Sequence, residues 1–208
     1  MISNGKFYES QFEEATIELL REAHWQYAFG DDIHRKYTDP LIEEDLRNFL
    51  AVQYKDKNLT TSEMDSIVAN LRNTGGQNDY YALRNTFLLY RDGYDFAYSD
   101  GRSNPFRLEY IDFEHPVHNI FRCVNQFVME QGRENRRPDI LLFINGIPVC
   151  IIELKNPTKQ NATIHDAHTQ ICTRYMRDIP ALLKYCALAV ISDGAKNALG
   201  ATYTPFEF

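Results

Sequence analysis

The sequence has no apolar run approaching the roughly eighteen residues that cross a bilayer as a helix, so no transmembrane span is expected. Its first residues, MISNGKFYESQFEE, lack the basic stretch and apolar core of a secretory signal. Cysteine is scarce. Cys123, Cys150, Cys172 and Cys186 make no CxxC pair, no zinc-finger spacing and no iron–sulfur pattern, so a reducing, cytoplasmic compartment is the expectation. No G-x-x-x-x-G-K-[ST] phosphate loop occurs, which excludes an ATP-driven motor within this chain. Positive charge is also short. Lys and Arg number 22 against 29 Asp and Glu, a net charge of −7 that argues against gripping nucleic acid by bulk electrostatics. The cations that exist are concentrated: Arg133, Arg136, Arg137, Lys155, Lys159, Arg174 and Arg177 fall within 133–177, while acidic runs such as Glu13-Glu14 and Glu43-Glu44-Asp45 lie upstream. Any contact with DNA should therefore run through a local basic rim.

What is present suits one sizeable core with a small appended lobe: 208 residues, 44% hydrophobic and 25% charged. Phe12, Thr16, Leu19, Leu20 and Ala23 recur at helical spacing and predict a first helix over 9–24. A second is expected over 40–55, with Pro40 at its start and Leu41, Leu46, Phe49 and Leu50 as apolar members. Thr60 or Thr61 should cap a third, and a fourth should run through 79–90 beyond Gly75-Gly76-Gln77-Asn78. These helices, about 38–91, would form the lobe. From about 106 the period becomes strand-like, with strands expected over 107–113 and 123–129, and nearly unbroken apolar runs over 139–144 and 147–154 that suit central strands. Asn145-Gly146 between the last two is a hairpin signal. Pro157 should end the second run; a helix over 160–177 and a buried strand over 185–192, stopped by Asp193-Gly194, complete a catalytic core of about 106–193. The order predicts an α/β fold with a mixed central sheet flanked by helices.

Chemistry concentrates in Arg137-Pro138-Asp139, the hairpin, and Glu153-Leu154-Lys155. Glu153 and Lys155, two apart on a strand, leave the same face. Whether Asp139 joins them depends on the turn. A strict two-residue loop pairs Asp139 with Ile152 and points it to the opposite face from Glu153; an odd-numbered loop, or a bulge with the same effect, puts all three together. Two carboxylates about 4 Å apart repel by roughly 4 kcal/mol at an effective dielectric near 20. A divalent cation removes that penalty, and oxygen ligands favour magnesium or manganese. Such an ion polarises a phosphodiester and helps generate hydroxide, with Lys155 orienting or deprotonating the water or neutralising the developing charge. Without a metal, the trio would be a surface ion-pair cluster worth about 0–1 kcal/mol. His165, His168 and Cys172 share one helix face at i, i+3 and i+7, but no further ligand pair stands near them, and zinc is not expected there.

The stretch from Asn135 to Pro157, NRRPDILLFINGIPVCIIELKNP, closely resembles the PD-(D/E)xK nuclease motif of type I restriction enzyme R subunits (HsdR). Ile111-Asp-Phe-Glu114 and Val124-Asn-Gln-Phe127 before it, and Arg174-Tyr-Met-Arg-Asp-Ile-Pro180 and Val190-Ile-Ser-Asp-Gly194 after it, resemble the family's flanking segments; the likeness covers about 106–208, with Phe12-Glu13. The resemblance implies a restriction-endonuclease-like core in a single nuclease domain, 1–208, truncated before the motor domains. It implies Mg2+ (or Mn2+) as cofactor, ATP only in the full-length subunit, and double-stranded DNA with methyltransferase and specificity subunits as partners. Asp139 and Glu153 would bind the metal, joined by the backbone carbonyl of Leu154, and Lys155 would be the catalytic lysine. Glu13 matches the family's helix glutamate, with Glu14 as the alternative, and would reach the metal through water, unless it is an ordinary solvated charge. Gln170 matches the glutamine of the Q-x-x-x-Y motif near DNA, with Arg137 as a further DNA contact. Tyr175 falls five residues after Gln170 rather than four, so either the helix carries a bulge or Arg174 takes the tyrosine's place, leaving Tyr175 as a core aromatic. Two rival readings are a nuclease-like docking module for other subunits and a RecB-like exonuclease.

Overall fold

The computed structural model describes residues 9–155 and 163–206. Pro157, Lys159 and the expected helical residues 160–162 lie outside them. Helix α1 (Glu9–Glu22) leads into β1 (Gln26–Phe29). The lobe follows as α2 (Glu43–Gln53), α3 (Thr61–Asn73) and α4 (Asp79–Asp92). Thr60 is the cap of α3, in a reciprocal box with Glu63 that satisfies two otherwise orphaned backbone donors. Asn78 caps α4. The start of α2 differs from expectation: Pro40 and Leu41 precede the helix, because Asp39 Oδ1 takes the Leu41 amide and holds that stretch in a turn.

A short hairpin of β2 (Tyr94–Phe96) and β3 (Phe106–Leu108) joins the lobe. The strand expected over 107–113 ends at Leu108, because side chains capture the next backbone groups. Asn145 Nδ2 donates to the Tyr110 carbonyl, and Asn119 Oδ1 accepts from the Asp112 amide. Beyond lie β4 (Phe121–Asn125), the hairpin of β5 (Met129–Gln131) and β6 (Glu134–Arg136), then β7 (Ile140–Ile144) and β8 (Ile147–Leu154). The expected strand over 123–129 is thus split. Gln126 adopts φ 55° and turns the chain out of the sheet.

After α5 (Ile164–Thr169) the helix widens into a π-helical turn over Gln170–Tyr175, resumes as α6 (Met176–Asp178), and gives way to α7 (Pro180–Leu183). The final strands are β9 (Leu188–Ser192), three residues shorter than expected because the Tyr185 and Ala187 amides bond the Leu182 and Tyr185 carbonyls in a turn, and β10 (Asn197–Ala201), which sequence pattern did not announce. Among the described residues six strands make one mixed sheet in the order β1-β4-β7-β8-β9-β10, parallel at β1–β4 and β8–β9 and antiparallel elsewhere.

Alternation along the central strands divides the sheet between two cores. Cys123, Ile140, Cys150, Ile152 and Leu154 face α1 through Ile17, Phe12 and Leu20. Val124, Leu141, Phe143 and Ile151 face the opposite way, against Ala167, Ile171 and Tyr175 of the α5 and π-helical segment. The lobe forms a third cluster around Leu46, Leu50, Ile67 and Tyr110, which reaches the sheet at Ile147 and Tyr185. No helix among the described residues is long and apolar enough to cross a membrane.

Candidate active site

The hairpin begins as the sequence proposes, with Asn145 and Gly146 both at positive φ (51° and 75°) and Ile144 opposite Ile147. That register alone would send Glu153 to the α1 face, away from Asp139, which alternates with Leu141 and Phe143 on the other. It shifts after Phe143↔Pro148: the next pair is Leu142↔Cys150, so Val149 is an extra residue, and Pro148, which cannot donate to a ladder, sits beside it. Continued past Ile140↔Ile152, the shifted register sets Asp139 opposite Glu153. A bulge, rather than an odd-numbered loop, therefore brings both carboxylates to the face covered by the π-helical turn.

The pair sits in different surroundings. Asp139 Oδ2 accepts the Leu154 amide at 2.7 Å, and its own carbonyl accepts the Gln126 amide at 3.1 Å, which ties the start of β7 to the ends of both neighbours. Glu153 is fully buried. One oxygen, Oε2, accepts Gln170 Nε2 at 2.7 Å and lies 3.6 Å from Lys155 Nζ; the other, Oε1, is buried with no hydrogen-bond partner among the described residues. Burial, and after it the charge on Asp139, raise Glu153 to about 8, against the opposing pull of Lys155.

Gln170 is the hub. It donates to Glu153 and to the Tyr175 hydroxyl (2.6 Å), and its oxygen accepts Lys155 Nζ at 2.7 Å. The π-helical turn makes this possible. Five residues at about 100° each would put Tyr175 far around a regular helix, whereas the wider turn returns it towards Gln170. Of the two alternatives left by the spacing, the bulge is what forms. Tyr175 is at once a core aromatic, with its ring among Ile171 and Ile179, and a contributor to the site through its hydroxyl. Burial pushes its phenol well above the ordinary range, and the Glu153 carboxylate adds to the effect.

Arg174, exposed, points elsewhere. With Asn135, Arg136, Arg137 and Arg177 it lines an open cleft of about 490 Å3 that also touches Gln170 and Tyr175. The basic rim is smaller than the sequence suggests, because Arg136 and Arg177 both pair with the buried carboxylate of Asp178 at 2.6 Å. The Arg177 guanidinium, with Arg136, holds Asp178 below the usual carboxylate range. A second cavity, about 590 Å3, opens between Arg35, Arg72 and Lys184, but its acids Asp39 and Glu43 are both engaged by Arg72.

Glu13 stands on α1, the helix over the opposite face. Its carboxylate accepts from Asn125 Nδ2 at 2.7 Å and Gln126 Nε2 at 2.9 Å. Gln126 in turn bonds Asp139 through the backbone, so Glu13 braces the same end of the sheet. Asn125 and Gln126 were not singled out in the sequence as partners of Glu13; the positive φ of Gln126, which aims its side chain there, had no local signature. His165 and His168 pack on Phe206, and Cys172 contacts His168 and the Thr202 carbonyl, so this helix face is a docking surface for the C-terminal segment.

A divalent cation fits the acid pair on the evidence of the side chains themselves: two hard oxygen donors face each other, one carboxylate oxygen is buried without a donor among the described residues, and an ammonium stands alongside.

Comparison with known proteins gives a concordant result. The family model described as "Type I restriction enzyme R protein N terminus" matches residues 6–208. The endonuclease subunit of type I restriction enzyme HindI from Haemophilus influenzae is 31% identical over 210 residues, covering 96% of this chain and 20% of that protein. The putative MjaIXP endonuclease subunit from Methanocaldococcus jannaschii is also 31% identical, over 90% of this chain and 19% of its own length. The chain thus spans about a fifth of the length of these relatives. With a family match across nearly all its residues and a mixed α/β core of the expected kind, the chain belongs to the type I restriction enzyme R protein N-terminal family.

Proposed function

We propose that this chain is the nuclease domain of a type I restriction enzyme R subunit and hydrolyses phosphodiesters of double-stranded DNA with Mg2+, without reading base sequence itself. One observation carries the reading: a buried Glu153 oxygen, with no hydrogen-bond partner among the described residues, beside Asp139 and Lys155 on one face of the sheet. A buried acid so arranged is poorly explained as a structural ion pair, since no hydrogen bond to its second oxygen is found among the described residues. Asp139, Glu153 and the Leu154 carbonyl would hold the cation, with Glu13 acting through water. When bound, the cation would supply Lewis-acid stabilisation of the phosphoryl oxygens and a readily ionised water.

The chain's own groups do the rest. Gln170 fixes Lys155 Nζ and Glu153 Oε2 relative to each other, so the ammonium stands ready to orient water or offset negative charge at phosphorus. Tyr175 anchors Gln170 from the core. Arg137 and Arg174 flank the cleft and would contact the DNA backbone. In the whole enzyme, in the cytoplasm, ATP-driven translocation and site recognition would reside in other domains and in the methyltransferase and specificity subunits.

The test is cleavage of a circular plasmid by the complete enzyme, because a circle also separates endonuclease from exonuclease action. Asp139→Ala and Lys155→Ala should each lower cutting at least about 100-fold while assembly and ATP hydrolysis persist. Undiminished cutting by either variant refutes the assignment. A second reading, a nuclease-like docking module, is favoured by the net charge of −7 and the self-paired arginines. It predicts instead that these variants alter assembly.

A further inference from the structure

At the opposite end of the sheet, Asp112, His115 and His118 come together in the loop between β3 and β4. The Asn145 side chain binds this loop to the hairpin turn, accepting the Ile120 amide and donating to the Tyr110 carbonyl. Glu153 lies six residues further along β8 from Ile147, about 20 Å at strand rise, so this cluster is separate from the acid pair.

Its geometry is specific. Asp112 is buried (4% exposed) and fixed on three sides: Oδ1 accepts the His115 amide at 2.8 Å, Oδ2 accepts Gln53 Nε2 of α2 at 3.2 Å, and its own amide donates to Asn119. The two imidazoles are exposed and lie near-parallel, ring centroids 5.2 Å apart. Both turn the same atom, Nδ1, towards that carboxylate: His118 at 2.8 Å from Oδ2 and His115 at 3.8 Å from Oδ1. The latter is too long for a hydrogen bond. The former is a hydrogen bond in the metal-free fold, and one ligand atom from each of the three residues lies within 4.8 Å of the other two, close enough for a shared ion to draw them to the edge of a tetrahedral site, about 3.3 Å for metal–ligand bonds near 2.0–2.1 Å.

We propose that Asp112, His115 and His118 form a second metal site, for a divalent ion of the zinc class, with a fourth position open to solvent. Two imidazoles and one carboxylate select zinc, cobalt or nickel over magnesium, which sets this site apart chemically from the all-oxygen acid pair. Bound there, the ion would clip the β3–β4 loop to α2 through the Gln53–Asp112 contact.

The experiment is titration of the untagged chain, stripped with EDTA, with Co2+ by visible absorption and with Zn2+ by calorimetry. One ion should bind with these three protein ligands, apart from any uptake at the acid pair, and Zn2+ should raise the thermal midpoint. His115→Ala and His118→Ala, both at exposed positions and checked for fold by circular dichroism, should each weaken binding at least about tenfold and abolish the midpoint shift. Glu153→Gln should leave this uptake intact, which separates the site from the acid pair. No uptake at micromolar Zn2+, wild-type binding in both histidine variants, or binding removed by Glu153→Gln would each overturn the proposal.

Discussion

Glu153→Gln abolishes one titration while keeping the shape of the side chain, and the buried position makes the consequence large. In the unfolded chain this glutamate loses its proton near the ordinary value of 4.5; in the fold, burial and the neighbouring Asp139 charge hold the proton until about 8. Between those two values the folded state binds more protons than the unfolded state, so stability must fall as pH rises. The contribution is complete below about 4.5, declines by about 1.4 kcal/mol per unit, and is exhausted above about 8. Across the window of about 3.5 units the wild type should lose about 5 kcal/mol relative to the variant. Urea unfolding of both proteins in EDTA across this range reads it directly. Magnesium should reverse the trend in the wild type alone, since an ion that binds only the folded, ionised site stabilises it by mass action. A stability difference flat with pH would show that Glu153 is ionised in the metal-free fold, and the reasoning from its burial would fail.

Gly146→Ala should destabilise by at least about 3 kcal/mol in urea, since φ is 75° and a Cβ would lie 2.1 Å from the Ile42 carbonyl oxygen of the lobe; a loss below 1 kcal/mol, on the order of a surface change, would mean the lobe yields at this point. Deleting the exposed Thr173 should convert the π-helical turn into regular helix, preserve the Gln170–Tyr contact at four-residue spacing, and leave folding and plasmid cleavage by the complete enzyme near wild type. Inactivity of a folded deletion variant would show that the wide turn serves a purpose beyond accommodating one extra residue.

The parts of the fold that depend on near neighbours were legible in the sequence. The Thr60–Glu63 box, the Asn145-Gly146 turn and the two apolar runs each carry their cause within a few residues. The five-residue spacing of Gln170 and Tyr175 narrowed the helix to two alternatives, and packing selected one. What escaped was set by distant partners. Residues 109–113 alternate like a strand, yet Asn119 and Asn145 take the backbone groups that a ladder would use. Strand β10 is mostly exposed and is placed by pairing with β9, so it carries no apolar period. Asp178, the acid that neutralises Arg136 and Arg177, was invisible to a count of charges along the chain.

The bulge at Val149 reconciles two demands on one hairpin. At its turn, Gly146 accepts the Ile42 amide on its carbonyl and lies too close to the lobe for a side chain, while Asn145, fully buried, ties down both Ile120 and Tyr110. Those contacts fix a two-residue turn, and a loop of different length would break them. At the other end the acids must share the face beneath Gln170 and Tyr175, which a two-residue turn by itself forbids, because strand side chains alternate. One extra residue between the ends inverts the parity and leaves both sets of contacts in place. The site therefore depends on a residue that touches none of its groups: side chains from Cys150 onward face as they do only because Val149 has no partner of its own across the ladder.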